Sequence, residues 1–584
     1  MSPPGWLTAS DLRIGLGCMR MSTSESRDQR LAGETIAAAA DAGVTVFDTA
    51  RAYGRGEAEL GHNERLLAGA LRRCGAELSA RIVTKGGMSR ARGGWVPNGR
   101  AKAILADCEA SLVALDGLAI DLYLIHGPDP RTPWRTSVRA LARLVDEGVV
   151  RRVGLSNVNR AQLDEALELA PVAAVEMALS LFDDRALRGG IVERCTKLGI
   201  AVIAHSPLGG TRRAVRLARH QPLAEIAQAH GATPAEVALG WLLELSPCVV
   251  AIPGAQRPQT ARSAARAASV RLTAEERAAL ARAFGSPGPA RPRPARRRDG
   301  AEVVLVMGIP GAGKSRLAEG LGARGYVRLN RDERGGGLRR LADALAAELS
   351  AGARRLVLDN TYLTRAARSH VIEAATRHRT PTRCIWLDTP LAQAQVNLVE
   401  RLLERFGALP TPDELRELAR HAPGMLAPTS QMRAVRELEP PSADEGFVSV
   451  ERIPFVRRQA RDRTSPGVYL AAGALRAPGW ERALERGDPG APHLIFDWSP
   501  DRPPDVLDPC VAQLSGVVSG PVETALCPHA AGPPSCWCRP PLPGLLLAFA
   551  RTHEVDPARA VLIGAAAAHR TLATTLGARY VPPT

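Results

Sequence analysis

The chain has 584 residues, a formal net charge of +16 and a hydrophobic content of 45%. This length is too great for one hydrophobic core, so we expect three or four domains. No apolar stretch approaches the roughly 20 residues that a membrane-spanning helix needs, and the N-terminus lacks the basic start and apolar segment of a signal peptide. We therefore expect a cytoplasmic protein without a membrane partner. The positive charge suits a polyanionic partner, and an Arg-rich coding bias would explain it equally well.

The first 285 residues alternate strand-like apolar runs with helical patterns. The predicted strands are 12–17, 44–48, 82–85, 122–126, 153–156, 172–177, 201–205 and 249–252, and the clearest helical stretches are 107–115, 161–169 and 234–243. Eight strands that each precede a helix predict an α/β fold, a (β/α)8 TIM barrel over residues 1–285. Active sites of such barrels lie at the carboxyl ends of the strands.

Four ionisable residues follow the apolar runs in an order that suits carbonyl reduction: Asp48, Tyr53, Lys85 and His126. A hydride added to a carbonyl carbon requires a proton donor for the oxygen. A phenol does this well if a nearby ammonium lowers its pKa and a carboxylate holds that ammonium. We therefore interpret Tyr53, Lys85 and Asp48 as this set, with His126 placed to orient the carbonyl.

Residues 10–285 resemble the aldo-keto reductases. The shared features are Gly15-Leu-Gly-Cys-Met-Arg, Phe-Asp48-Thr-Ala-x-x-Tyr53-Gly, Lys85, Leu-Ile-His126, Gly154-Leu-Ser156-Asn157, Ser206-Pro207-Leu208-Gly and Ile252-Pro-Gly254-Ala. The resemblance implies a small-molecule carbonyl substrate and NADP(H), with Tyr53 as general acid.

The same resemblance implies how the cofactor is held. Ser156 and Asn157 would hold the nicotinamide amide, the 206–208 segment would line the site, and the segment after Gly254 would receive the adenosine phosphate, with Arg257 at the 2′-phosphate. The sequence departs from the family at two cofactor positions. Glu176 stands where the family commonly has a Gln that bonds the nicotinamide amide. His205 stands where the family commonly has a Tyr whose ring stacks on the nicotinamide.

Residues 285–298 are rich in Pro, Gly and Arg, which predicts a linker over 286–300 before a second domain at 301–460. That domain begins with a phosphate-cradling loop after an apolar strand, Gly308-Ile-Pro-Gly311-Ala-Gly313-Lys314-Ser315. Its backbone N–H groups would wrap the β-phosphate of ATP, Lys314 would reach the β- and γ-phosphates, and Ser315 would bind Mg²⁺. Further strands are predicted at 356–359 and 384–388, and Asp359 is a candidate for the Mg²⁺ shell.

Residues 301–458 resemble the polynucleotide-kinase branch of P-loop kinases, on Leu329-Asn330-Arg331-Asp332, Asp359-Asn-Thr and the helix at 396–406. The resemblance implies Asp332 as the base that activates a 5′-hydroxyl of RNA or DNA, and Arg401 or Arg405 as the clamp on the transferred phosphoryl. The family's second Arg is displaced here. Asp332 as an ordinary loop residue is the alternative, and the arginines of 291–298 fit either a phosphate backbone or a solvated linker.

The last region, 461–584, contains Cys527-Pro-His529 and Cys536-Trp-Cys538, a ligand set for tetrahedral Zn²⁺. Residues 490–584 resemble the zinc-containing haloacid-dehalogenase-type phosphatases related to histidinol-phosphate phosphatase. Pro540 stands where that family has its catalytic Lys, and Ala565 and His569 stand where it has the carboxylates that bind Mg²⁺. Asp497 corresponds to the family's nucleophile, but the second Asp of that motif is missing. We therefore expect a catalytically inactive structural or binding module.

Three functions remain open from the sequence. The first is a bifunctional protein, an NADP-dependent reductase with a polynucleotide-kinase-like domain that acts in nucleic-acid end repair. The second is a carbonyl reductase whose ATP and zinc domains are regulatory or structural. The third is a non-catalytic assembly that uses ATP as a conformational signal. The barrel sequence does not identify the carbonyl substrate, because the substrate loops of this fold vary freely.

Overall fold

A computed structural model describes residues 6–7, 11–91, 94–285, 300–421, 424, 426–456, 463–500, 502–532 and 534–583. The chain divides into two compact units, Met1–Ala290 and Arg291–Thr584. The predicted linker and its arginines at 291–298 lie outside the described residues. Within the described ranges, no helix is long and apolar enough to cross a membrane.

The first unit contains the expected eight-stranded parallel barrel. Its strands, in both chain and spatial order, are Leu16–Gly17, Val46–Asp48, Arg81–Gly86, Ile120–Ile125, Val153–Ser156, Val172–Ala178, Ala201–His205 and Val249–Ile252. The ring is nearly closed, because Gly15 N–H donates to Ala251 O at 2.8 Å and Ala251 N–H donates to Arg13 O at 3.0 Å. A side chain at Gly15 would collide with the carbonyl oxygen of Val46, so glycine permits this closure.

Helices surround the barrel. They are Arg20–Thr23, Gln29–Asp41, His62–Cys74, Ala101–Ala114, Trp134–Asp146, Arg160–Leu167, Arg185–Arg188, Ile191–Leu198, Thr211–Ala214, Gln221–Ala229, Pro234–Leu245, Pro258–Arg266 and Ala274–Phe284. At the amino end of the strands, Trp6 is buried and donates to Asp121. At the carboxyl end, the antiparallel hairpin Met88–Ala91/Gly94–Pro97 follows the third strand. The hairpin therefore stands beside the strand ends that carry the predicted site residues.

The second unit begins with a five-stranded parallel sheet. In spatial order its strands are Val327–Asn330, Arg355–Asp359, Glu302–Met307, Thr382–Asp388 and Ser449–Pro454. Its helices are Lys314–Gly322, Arg331–Arg334, Leu338–Ser350, Arg365–Arg377, Leu391–Phe406, Pro412–His421 and Pro428–Glu437. The central strand Glu302–Met307 leads directly into the phosphate-cradling loop, as the sequence predicted.

A second five-stranded parallel sheet completes this unit. In spatial order its strands are Val522–Cys527, His493–Trp498, Val468–Ala471, Val561–Ile563 and Arg579–Val581, and its helices are Trp480–Leu484, Asp508–Ser515, Gly544–Thr552 and Ala567–Leu576. The sheet thus begins at 468, before the region at 490–584 for which a resemblance was noted. The order of successive strands reverses between the parallel neighbours Val468–Ala471 and Val561–Ile563, and ligands bind at such reversal points in parallel sheets.

A helix that follows the first sheet packs into the hydrophobic core of the C-terminal sheet. Leu398, Leu402 and Leu403 of the helix Leu391–Phe406 are buried in the same cluster as Phe496 and residues of the C-terminal sheet. The helix packs against both Gly544–Thr552 and Ala567–Leu576. We call Leu391–Phe406 the lid helix, and its apolar face joins the two sheets.

Candidate functional site

Side chains alternate between the two faces of a strand, and this alternation brings the polar residues of the barrel together in its interior. Val46, Val83, Ala174 and Ile203 belong to one buried cluster inside the barrel. Because side chains alternate along a strand, the residues two positions later face the same interior, one layer nearer the carboxyl end. Those residues are Asp48, Lys85, Glu176 and His205. The barrel therefore has an apolar lower interior and an ionisable upper layer.

Lys85 is the centre of this layer and is fully buried. Its ammonium donates to Asp48, to the backbone oxygen of Thr49 at 3.1 Å and to the Tyr53 hydroxyl at 3.2 Å. The structure thus brings together the carboxylate, ammonium and phenol that the sequence predicted. It also holds the phenol at the ammonium before any ligand arrives.

Glu176 belongs to this cluster, which the sequence interpretation missed. Its carboxylate lies 3.2 Å from Lys85 Nζ, and the residue is 2% exposed. The sequence predicted that Glu176 would bond the nicotinamide amide. The structure places this carboxylate beside Lys85, an ionic partner that a Gln at this position would lack.

The pKa shifts follow from burial and these charges. Burial raises the pKa of Tyr53 above its usual value, although Lys85 acts in the opposite direction. The ammonium thus lowers the phenol pKa as expected, and burial outweighs its effect. Burial and the neighbouring Glu176 raise the pKa of Asp48 to about 8, and the two carboxylates raise the pKa of Lys85 despite its burial.

His126 faces a cavity of about 470 Å³ at the mouth of the barrel. The cavity is lined by Met19, Thr23, Tyr53, Met88, Arg90, Trp95, His126 and Asn157. Burial, followed by Lys85, lowers the pKa of His126 to about 3, so the imidazole is neutral near pH 7. Its Nδ1 is buried and has no hydrogen-bond partner among the described residues. A neutral imidazole beside the phenol can donate its one N–H to a carbonyl oxygen.

The hairpin contributes two cavity residues that the sequence interpretation did not select. The guanidinium of Arg90 lies 4.1 Å from the centre of the Trp95 ring, which contacts both Tyr53 and His126 edge-on or tilted. The signal was present, since Trp95 is a large aromatic residue in a polar, glycine-rich stretch. Its side chain gives the cavity an apolar wall beside the phenol.

Several of the residues predicted to hold the cofactor meet beside this cavity. Asn157 donates to Ser156 Oγ at 3.0 Å, and the His205 ring nitrogens lie 3.2 Å from Asn157 Oδ1 and from Ser206 Oγ. Asn157 and Ser206 have positive φ angles of 57° and 52°. Pro207 is buried and Leu208 half-buried directly after them. Burial lowers the pKa of His205 to about 4, so its ring is uncharged when the site works near neutrality.

Gly254 and Arg257 lie where the last strand leads into a helix. Both residues are exposed, and Arg257 directly precedes the helix Pro258–Arg266. The backbone N–H of Arg257 donates to Thr260 Oγ1 at 3.3 Å. A helix N-terminus with an adjacent guanidinium favours a phosphate group.

In the second unit, the loop at 308–315 has the shape of a phosphate cradle. Gly308, Gly311 and Gly313 have positive φ angles, and a side chain at Gly311 would fall on the backbone oxygen of Ala394 in the lid helix. The Lys314 ammonium donates to the loop's own carbonyl oxygens, Gly308 O at 3.0 Å and Ile309 O at 2.9 Å. Burial lowers the pKa of Lys314 to about 8. Ser315 is the next residue of the same helix, half-buried at the loop.

The charges that act on Lys314 identify its surroundings. After the effect of burial, the charges of Asp359 and Asp332 raise the pKa of Lys314 and that of Arg401 lowers it, so all three act on the ammonium. Arg405 instead stacks on its neighbour Phe406 at 5.6 Å, which favours Arg401 of the two sequence candidates. Asp359 accepts two hydrogen bonds from Arg328, at 3.0 and 2.8 Å, a partner that the sequence interpretation missed.

The four predicted zinc ligands form one cluster. Their ligand atoms all lie within 4.8 Å of one another. Cys538 Sγ lies 3.3 Å from Cys527 Sγ and 3.2 Å from His529 Nδ1, and Cys527 Sγ lies 3.7 Å from Cys536 Sγ. Zinc bonds of about 2.0–2.3 Å in a tetrahedron require ligand separations of about 3.3–3.8 Å. The donor set and its spacing therefore fit Zn²⁺.

The strand ends of the C-terminal sheet carry few reactive groups. The two strands at its reversal point continue into Ala471-Ala472-Gly473 and Gly564-Ala565-Ala566. Asp497 lies on the neighbouring strand, and its carboxylate accepts from the Trp498 N–H at 2.8 Å. The His569 ring stands edge-on to Phe496 with ring centres 5.6 Å apart. At the described ends of these two strands, residues 471–473 and 564–566, no side chain offers a carboxylate to Mg²⁺.

Comparisons with known proteins bear on both units. A model of the Aldo/keto reductase family matches residues 13–283, and a model of an AAA domain matches residues 303–420. The aldo-keto reductase str7 of Strobilurus tenacellus is 31% identical over 312 residues, which cover 47% of this chain and 89% of that protein.

Solved structures also resemble the first unit. An aldo/keto reductase from Klebsiella pneumoniae, in complex with NADP and acetate, is 28% identical, with 47% of this chain and 92% of that chain covered and a TM-score of 0.40. A glycerol dehydrogenase from Gluconobacter oxydans is 27% identical, with 47% and 93% covered and a TM-score of 0.41.

Proposed function

This chain belongs to the aldo/keto reductase family, and from that premise we propose that its first unit is an NADP(H)-dependent reductase of small-molecule aldehydes or ketones. The observation that supports the proposal best is the Tyr53 hydroxyl, 3.2 Å from Lys85 Nζ on the wall of a cavity that His126 also lines. This arrangement suits protonation of a carbonyl oxygen and few other reactions.

In the proposed reaction, each residue acts on the carbonyl oxygen or on its proton donor. When bound, NADPH supplies a hydride to the carbonyl carbon. Tyr53 remains protonated near neutral pH because burial raises its pKa, and it donates its proton as negative charge develops on the oxygen. Lys85 stays charged and stabilises the phenolate that remains. His126 positions the oxygen as a neutral donor.

Ser156, Asn157 and His205 would hold the nicotinamide, and the 206–208 segment would lie along it. The exposed helix start at Gly254 and Arg257 would take the adenosine phosphates, and the guanidinium favours NADP(H) over NAD(H). Glu176, whose carboxylate also lies beside Lys85, would accept a hydrogen bond from the nicotinamide amide.

The test is NADPH oxidation with 4-nitrobenzaldehyde by the full chain. Tyr53→Phe should lower kcat by at least about 100-fold, the range for loss of a general acid. Tyr123→Phe is the matched control, because that phenol bonds the Ile104 carbonyl oxygen inside the same barrel and should leave kcat unchanged. Wild-type turnover by Tyr53→Phe would contradict the assigned proton donor.

A second activity is supported by the groups around Lys314. We infer that residues 301–456 bind ATP with Mg²⁺ and transfer its γ-phosphoryl group to a 5′-hydroxyl end of RNA or DNA. Asp332 would accept the hydroxyl proton, Arg401 would stabilise the transferring group, and Ser315 and Asp359 would hold Mg²⁺. Asp359 would have to share its carboxylate between the metal and Arg328.

Labelling from [γ-³²P]ATP tests this activity on 5′-hydroxyl oligonucleotides. Asp332→Ala should abolish labelling. Glu333→Gln, a change at the next acidic residue of the same short helix, should retain it. Binding of the oligonucleotide should weaken steeply with salt, with a log–log slope near −0.7 for each phosphate contacted on a single strand. Labelling of a small molecule or protein with no labelled oligonucleotide would contradict the nucleic-acid acceptor.

We further propose that Cys527, His529, Cys536 and Cys538 bind one structural Zn²⁺, and that the C-terminal sheet has no phosphatase activity. The purified chain should contain about one zinc per molecule. Cys536→Ser/Cys538→Ser should lose the metal, whereas Cys510→Ser, at a buried cysteine of the same sheet, should keep it. Zinc retained in the double variant would place it elsewhere.

An alternative is a carbonyl reductase whose ATP and zinc parts are regulatory or structural only. The regulatory form predicts that saturating ATP changes NADPH turnover and that Lys314→Ala removes this response. Unchanged turnover with ATP would exclude the regulatory form, and labelled oligonucleotide would exclude both.

A further inference from the structure

A large cavity lies within the second unit, between the phosphate-loop helix and the C-terminal sheet. Its volume is about 1070 Å³, at the upper end of the range of small-molecule and cofactor sites. One side is formed by Gly313, Arg316 and Leu317 of the loop and its helix. The opposite side is formed by helix Gly544–Thr552 and the turn at 556–558.

The cavity borders the phosphate loop, and the proposed catalytic groups of the kinase site do not line it. Ala312 and Gly313 border it, so it opens where a β-phosphate would sit. The described residues that line it do not include Asp332, Asp359 or Arg401. A nucleotide with its γ-phosphate directed at those three groups would have its ribose and base on the other side of the loop, in this cavity.

The lining suits a nucleoside better than a further anion. Glu554 and Asp556 on the C-terminal wall balance Arg316 and Arg551, so the cavity combines both charges. A carboxylate commonly accepts from ribose hydroxyls in nucleotide sites, and a guanidinium stacks on a planar base. Leu317, Ile453 and Leu547 add apolar surface for the faces of a purine.

The C-terminal wall is attached firmly to the loop side. Gln393 of the lid helix donates to Thr575 O at 3.0 Å, and Arg463 pairs with Glu400 of that helix at 2.8 Å. Asn397 of the same helix donates to Gly311 O at 2.8 Å, within the phosphate loop. The lid helix thus touches the loop with one face and the C-terminal sheet with the other.

We propose that the C-terminal sheet builds the ribose-and-base half of the nucleotide site, and that the ligand is a purine nucleoside triphosphate held by both halves of the second unit. This rests on the proposed ATP site. It gives the inactive sheet a binding role: the sheet walls the cavity at 551–558 and fixes the lid helix.

Calorimetry on the full chain can test this with two ligands, the Mg²⁺ complexes of AMPPNP and of inorganic tripolyphosphate. Ala558→Trp fills the cavity from the C-terminal turn, where the side chain is exposed and tolerates a larger residue. It should weaken AMPPNP binding by about 10-fold or more, or about 1.4 kcal/mol, and change tripolyphosphate binding by less than about 2-fold. Ala567→Trp, an exposed site of the same sheet outside the cavity lining, should alter neither.

Unchanged AMPPNP affinity in Ala558→Trp would overturn the proposal. Equal weakening of both ligands would also overturn it, because the substitution would then act on the phosphate loop. A wild-type chain that binds neither ligand would refute the underlying ATP site itself. A chain that binds tripolyphosphate as tightly as AMPPNP would keep the phosphate loop and remove the base cavity.

Discussion

Lys85 and Lys314 are two inward-directed ammonium groups whose pKa values shift in opposite directions. Lys85 lies between Asp48 and Glu176, and these carboxylates raise its pKa despite complete burial. Lys314 donates to backbone carbonyl oxygens, and burial lowers its pKa to about 8. The barrel therefore supplies its own counter-ions and is preassembled. The phosphate loop leaves the counter-charge to its ligand.

The largest effect should come from Lys85→Met. It removes the cation from the buried cluster of Asp48, Lys85 and Glu176, and breaking a buried ion pair costs about 3–5 kcal/mol. Turnover of NADPH should fall by at least about 1000-fold, and circular dichroism of the full chain should show a lower melting temperature for the barrel. Lys197→Met removes a surface lysine paired with Glu193 and should leave both unchanged. An unaltered melting temperature in Lys85→Met would argue against charged carboxylates around Lys85.

Lys314→Met should separate binding from stability. MgATP affinity should fall by about 100-fold or more, because the phosphates lose their buried cation. The melting temperature should not fall, since a desolvated ammonium without a carboxylate contact is a cost to the folded state. Calorimetric binding and a melting curve of the same sample check both. A clear loss of stability would mean that Asp359 or Asp332 already neutralises Lys314.

Glu176→Gln should change how barrel stability depends on pH. Folding raises the pKa of Asp48 from about 4 to about 8, so the folded carboxyl holds a proton that the unfolded one releases, and stability falls as pH rises towards 8. His126 and His205 act oppositely below about pH 6.5, because their folded pKa values are lowered to about 3 and 4. The clean window is therefore pH 6.5 to 8.

As the pH rises from 6.5 to 8, the midpoint temperature of thermal inactivation of the wild type should decrease by a few degrees. A loss of about 1 kcal/mol in unfolding free energy lowers this midpoint by about 2–4 °C. Glu176→Gln removes the like charge, lowers the Asp48 pKa and should flatten the curve. Glu193→Gln, at an exposed carboxylate, should keep the wild-type slope. A slope identical in Glu176→Gln and wild type would show that Glu176 does not act on Asp48.

The smallest effect concerns protons taken up at the phosphate loop. With a pKa near 8, Lys314 is about half protonated at pH 8, and a bound triphosphate should restore its charge. MgATP binding at pH 8 should therefore take up a fraction of a proton, detected by calorimetry in two buffers of different ionisation enthalpy. Lys314→Arg should bind without this uptake. Equal heats in both buffers for the wild type would contradict a lowered pKa.

The comparison also explains which parts of the site could be predicted from sequence. Asp48, Lys85 and His126 stand at the ends of apolar runs, and the alternation of strands brings them into one layer. Glu176 obeys the same alternation two residues after Ala174, so its inward direction was available from the sequence. It was missed because the family's Gln was taken as the guide to its partner.

Other features depend on contacts between distant segments. The strands Val327–Asn330 and Ser449–Pro454 form the edges of their sheet, and their mixed polar residues hide them from a search for apolar runs. The lid helix was identified, but its apolar face gave no sign that a sheet beginning at 468 would cover it. The cavity beside the phosphate loop depends on that packing and could not be foreseen.

The most direct measurement compares two variants of the full chain, Tyr53→Phe in the barrel and Lys314→Met in the phosphate loop. NADPH turnover with 4-nitrobenzaldehyde and MgATP affinity are measured for each. The account predicts that Tyr53→Phe loses at least about 100-fold in turnover and binds MgATP normally, while Lys314→Met loses MgATP binding and keeps turnover within a few-fold. Loss of NADPH turnover in Lys314→Met, or normal turnover in Tyr53→Phe, would contradict two separate sites with the residues assigned here.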